Sequence, residues 1–134
     1  MTQEEKLLLR DLCARLTYGT IVSVSDGAIK YNAYIEAVFH KYLQVSPVSD
    51  SVFTAYTYYK IGEIKPYLRP ISSMTEEEKK EFERIAPGIE VENGVCIPNV
   101  NQIDYLNANH FDYRDLIPKG LAIEVTKENN PYKV

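Results

Sequence analysis

The spacing of turns in the first half of the chain limits the fold more than any other feature. Thr20-Ile21-Val22-Ser23-Val24-Ser25 is a run rich in strand formers that stops at Asp26-Gly27, and a return segment begins near Ile29. Asp-Gly tolerates the positive φ of a tight hairpin turn. So short a link can only reverse the chain, because a parallel crossover needs a dozen or more residues. The early strands are therefore expected to pair antiparallel.

The next segment fits two periods. Tyr31, Ala33, Ile35, Ala37, Phe39, Leu43 and Val45 alternate as in a strand, with Lys41 breaking the pattern, while Tyr31, Ile35, Phe39 and Tyr42 also fit a helical stripe. Tyrosine and β-branched content favours strands, with a turn or bulge near His40-Lys41. Ser46 to Asp50 reads as a loop, and Val52 to Tyr59 as a further strand. Pro66 within Gly62 to Tyr67 predicts a turn or a single helical turn, and Pro70 stops any regular continuation.

Helices are announced by their caps. Thr2 with Glu5 and Thr75 with Glu78 have capping-box spacing, and Glu76-Glu77-Glu78 suits the positive end of a helix. After Thr2, the residues Leu8, Leu9, Leu12, Cys13 and Leu16 form one apolar stripe, with Glu4, Lys6, Arg10 and Arg15 largely off it. Phe82 and Ile85 give the second helix a thin apolar face, so it is expected on the surface. Ile89–Val91 and Val95–Ile97 read as a small hairpin. Val100, Ile103, Leu106 and His110 share a third helical face; Asp112 and Asp115 could cap a short turn; Leu121 to Val125 reads as a last strand. The expected architecture is α+β, a small antiparallel β meander with packed helices at the N-terminus and in the C-terminal half. It divides a single domain (1–134) into an N-terminal helix (1–17), a β-rich meander (19–70), a mixed helical segment with short strands (75–126) and a frayed tail (127–134).

Composition narrows the function classes. The chain is 45% hydrophobic and 25% charged, which suits a packed domain rather than a disordered one. Its formal net charge of -4 disfavours non-specific contact with phosphate backbones. Cys13 reads as a small buried hydrophobe and Cys96 as part of a short strand. Two isolated thiols complete neither a disulfide framework nor a zinc site, so no metal or cofactor is expected. No apolar run nears the ~20 residues of a membrane helix, and no basic leader opens the chain, so a cytoplasmic protein is expected.

Two groups of residues could carry a site. His110, Asp112 and Arg114 offer a general base, an orienting carboxylate and an anion clamp. The competing structural account makes His110 a helix terminus, Asp112 a cap and Arg114 one half of an ion pair. Tyrosine is unusually abundant, at eleven residues. Tyr56, Tyr58, Tyr59 and Tyr67, with Lys65 and Arg69, could form an aromatic contact surface. Adjacent Tyr58 and Tyr59 must face opposite ways in a regular strand, so only some of the rings can be displayed. Lys60, Lys65 and Arg69 among these rings could also hold a single nucleic-acid strand, with Glu63 opposing them.

Three strings carry a likeness: Leu12-Cys13-Ala14-Arg15-Leu16, Ile64 through Thr75, and Leu106 through Arg114. The chain resembles a family of small uncharacterised proteins from gut Bacteroidetes and their phages or prophages. That resemblance implies a barrel-like meander and a mobile-element accessory role; it transfers no site to any residue. The leading functional expectation is a small intracellular accessory or protein-binding module with a protein partner, self-association being an alternative. A small enzyme built on His110, Asp112 and Arg114, or a weak single-strand nucleic-acid binder, are the rivals.

Overall fold

The computed structural model describes residues 1–49, 57–85, 91–92, 95–96 and 100–132. Helix α1 (Gln3–Ala14) starts at the expected capping box, with the Thr2 hydroxyl accepting from Glu5 N and the Glu5 carboxylate accepting from Thr2 N. Leu8 and Leu12 are buried and Leu7, Leu9 and Leu16 pack partly against the same core, but the inward side also carries charge, since Asp11 and Arg15 are fully enclosed. Cys13 is exposed, not a core thiol, because Asp11 and Arg15 rather than Cys13 extend the buried side. The helix ends at Ala14 rather than 17, and the turn after it reaches Gly19 at φ +68°, a conformation that suits glycine.

Strands β1 (Ile21–Ser25), β2 (Lys30–Val38), β3 (Tyr42–Pro47) and β4 (Thr57–Lys60) form the antiparallel meander. The Asp26 carboxylate closes the first hairpin by accepting from Ala28 N and Ile29 N. The ambiguous segment is strand, with an irregularity between Ile35 and Ala37 and the chain reversing between Val38 and Tyr42. A 3-10 turn at Ile61–Glu63 then leads into β5 (Ile64–Pro70), which pairs antiparallel with β1.

Pro66 therefore sits inside a strand, opposite Val22, where a turn was expected. Backbone groups alternate sides along a strand. Leu68, two residues on, gives its carbonyl to Val125 N on the side away from β1. The missing Pro66 N–H faces that same side and takes no donor from the β1 ladder, which is why the strand tolerates it.

The second half contributes α2 (Glu76–Arg84), the hairpin of β6 (Val91–Glu92) and β7 (Val95–Cys96), α3 (Val100–Ala108), β8 (Phe111–Asp112) and β9 (Ile123–Glu124). Strands β8 and β9 run parallel to β5, which the long connections before them allow. The sheet has the order β4-β3-β2-β1-β5-β8, with β9 also on β5. It stays open; the implied barrel does not close.

One face of the sheet buries Val22, Val24, Ala33, Ile35, Leu43, Val45, Ile64 and Leu68 against Leu8 and Leu12 of α1. A second cluster joins Met74, Leu106 and Phe111 to the partly buried Phe82 and Tyr105. As expected, α2 buries no residue and lies on the surface. The tail is not frayed through residue 132. Tyr132 stacks on His110, and its hydroxyl accepts from Ile21 N at 3.0 Å and donates to Tyr67 O at 2.7 Å. That oxygen bridges β1 and β5 just beyond their last pair, Val22 with Pro66. No helix among the described residues is long and apolar enough to cross a membrane.

Candidate binding surface

The three catalytic candidates do not converge. Asp112 accepts from Leu116 N and Ile117 N, so its carboxylate caps the turn that follows. Arg114 donates to Asp11 Oδ1 at 2.9 Å and lies over the Tyr113 ring. Asp11 also receives the buried Arg15, whose Nε is 2.7 Å from Oδ2. Arg15 continues to Phe111 O at 2.6 Å, tying α1 to β8. These groups form a structural network that joins the two halves of the chain.

His110 stands apart from both aspartates. It closes α3 with φ at +62°, its N–H donating to Asn107 O. Its ring lies flat on Tyr132 at 3.8 Å, with Nδ1 3.4 Å from the Thr20 hydroxyl. Burial, then the positive charges of Arg15 and Arg69, push its pKa down to about 4. The imidazole is neutral near pH 7, and among the described residues no carboxylate bonds to it. His110 lines a polar cavity of about 630 Å³, whereas Asp112 lines a separate one of about 430 Å³. The constellation lacks the mutual geometry that general-base chemistry requires.

The aromatic candidates divide as strand alternation demands. Tyr59 faces Leu43 and is buried, with its hydroxyl accepting from Tyr31; Tyr58 faces Gln44 and is 57% exposed. Tyr67 is also buried, its hydroxyl donating to Asn32 Oδ1. Neither Tyr59 nor Tyr67 is free to meet a partner, because both are enclosed by the fold. Tyr56 lies outside the described residues. The displayed rings are instead Tyr58 on β4 and Phe39 in the β2–β3 turn, their centroids 6.0 Å apart, with Tyr42 on β3 and Tyr34 on β2 also exposed. Phe39 shares the alternation of Ala33 and Ile35, but β2 ends at Val38, so the turn that follows takes Phe39 out of the strand and leaves it exposed.

The basic candidates divide too. Arg69 makes a two-pronged bond to Glu78 at 2.7 and 2.8 Å and lies 4.2 Å over Phe111. That pairing holds the Glu78 carboxyl down at about 2 and leaves Arg69 committed to packing α2. Lys65 is exposed on β5.

A groove of about 690 Å³ opens where the first turns of α1 meet the β2–β3 turn and the end of β4. Leu9, Tyr42 and Ile61 supply its apolar lining. Lys6, Lys41 and Lys60 stand around it with His40, and none of the three ammonium groups has an ion-pair partner among the described residues. Glu5, the acid in this lining, is turned to Thr2 N, a bond that lowers its pKa. Among the described residues no group of three or more His, Cys, Asp or Glu side chains could hold a metal ion. Comparison with protein-family models, curated proteins and solved structures found no match.

Proposed function

We propose that the protein is a small accessory module that binds an acidic, partly apolar segment of a partner protein in the groove between α1 and the β2–β3 turn. The observation that carries this reading is three lysines, unpaired among the described residues, around an apolar lining in a chain whose net charge is negative. Apolar contacts with Leu9, Tyr42 and Ile61 would anchor the segment, and carboxylates would answer the ammonium groups at the rim. The neighbouring Phe39–Tyr58 pair extends the contact with rings that keep few rotamers to lose. The resemblance to phage and prophage proteins is compatible with an accessory role for such a module.

Fluorescence anisotropy with a short labelled peptide alternating glutamate with leucine and phenylalanine tests the reading. The peptide should bind at low salt, its lysine counterpart should not, and Lys41→Glu with Lys60→Glu should weaken binding about tenfold or more. Tighter binding of a labelled oligouridylate would replace the protein partner with a single-stranded nucleic acid. Concentration-dependent self-association lost in the same variant would make the occupant a second copy of the chain. If neither peptide nor nucleic acid binds and the protein stays monomeric, the proposal fails.

A further inference from the structure

The opposite side of the sheet carries a second concavity, of about 640 Å³, between β1, β5 and the segment that includes Ile123 and Asn129. Strand register assembles its donors. Ser25 sits across from Lys30, and Ser23 across from Lys65, so two hydroxyls and two ammonium groups share one face. Ser23 is buried while Ser25 and both lysines are exposed, which sets one hydroxyl deep and the second, with the charge, at the mouth. None of these four side chains makes a hydrogen bond or ion pair among the described residues. Asn129, from the tail held down by Tyr132, forms part of the wall.

The acids nearby are largely engaged elsewhere. Glu63 lines the cleft, but its Oε1 accepts from Lys60 N at 2.9 Å. Asp26, beside Ser25, is turned into its own hairpin by Ala28 N and Ile29 N. The Tyr67 hydroxyl is spent on Asn32. What remains is a set of donors from two serines, two lysines and an asparagine amide around one hollow. A planar carboxylate offers two acceptor oxygens, whereas a phosphate offers three or four and carries the charge to meet two ammonium groups.

We infer that this cleft binds a phosphate group, either as the free ion or as the head of a small monoester. The hydroxyls of Ser23 and Ser25 donate to its oxygens, and Lys30 and Lys65 neutralise it from the rim. Glu63 weakens the attraction and makes the site one of modest affinity.

Titration of the ¹⁵N-labelled protein with sodium phosphate, at ionic strength held constant with chloride, tests the site. Saturable shifts are expected at the amides of Ser23, Ser25, Lys65 and Asn129. Lys30→Gln with Lys65→Gln should weaken the response about tenfold or more, and Ser25→Ala should weaken it by less. Glu63→Gln, which keeps the oxygen that accepts from Lys60 N, should strengthen it. Lys41→Glu, in the peptide groove, should leave it unchanged, which separates this site from the proposed protein-binding one. Tighter binding of glycerol phosphate than of inorganic phosphate assigns a monoester, and the reverse assigns the free ion. A response that never saturates, or that the double lysine variant retains in full, overturns the inference.

Discussion

The network around Asp11 and the groove beside Lys41 are both rich in charge, yet they treat it in opposite ways. In the first, Asp11, Arg15, Arg114 and Asp112 have found partners inside the molecule. Arg15 is fully buried, and its Nη1, with no hydrogen-bond partner, belongs to a guanidinium lying 5.0 Å over the Tyr113 ring. In the second, Lys6, Lys41 and Lys60 stand exposed around an apolar hollow with no ion-pair partner among the described residues. The stretch from Asn107 to Asp115, densest in polar side chains, is where the fold needs them most. A cluster of reactive residue types marks a candidate site only where its hydrogen-bonding capacity is left over after folding.

The sharpest way to break this comparison is to remove Asp11. Asp11→Ala strands Arg15 in the interior and frees Arg114, so urea unfolding should show a loss of about 3–5 kcal/mol. A loss under 1 kcal/mol would mean that the network is incidental. Next comes the pH response of His110. Its pKa is about 4 in the fold against an ordinary value of 6.5, so the unfolded chain binds the proton first as pH falls. Stability should be complete above pH 6.5 and decline toward pH 4, by about 2 kcal/mol after allowing for partial exposure. His110→Asn, a residue that accepts positive φ, should flatten that slope in unfolding curves taken across the interval.

Smaller is the effect of Tyr132→Phe, which deprives Ile21 N and Tyr67 O of their shared partner. It should cost about 1–2 kcal/mol and speed amide exchange at Ile21. Smallest of all, Lys41→Gln with Lys60→Gln should change stability by less than about 0.5 kcal/mol, because neither side chain has a partner to lose. A larger loss in denaturation would put these lysines with the structural charges and remove them from the proposed groove.

What could be read in advance follows the reach of each interaction. Both capping boxes, the Asp26 turn and the Asp112 cap were legible because donor and acceptor lie two to five residues apart. The opposite facing of Tyr58 and Tyr59 was legible for the same reason, but which of them turned inward was not. That choice depends on pairing with Leu43 and Gln44 across the sheet. Arg15 stood four residues after Asp11, a spacing that could have suggested a pair, yet nothing local indicated that both would be enclosed.

By itself, then, the amino-acid sequence determined where helices begin, where the meander reverses, and that the early strands pair antiparallel, since backbone geometry and neighbouring side chains decide these. Only the tertiary structure decided that Arg15 meets a carbonyl 96 residues away and that Tyr132 seals a gap 111 residues back. It also decided which cations are consumed and which stay free. Burial and long-range pairing depend on the packed chain as a whole, and the lysine-rimmed groove exists only where α1, the β2–β3 turn and β4 come together.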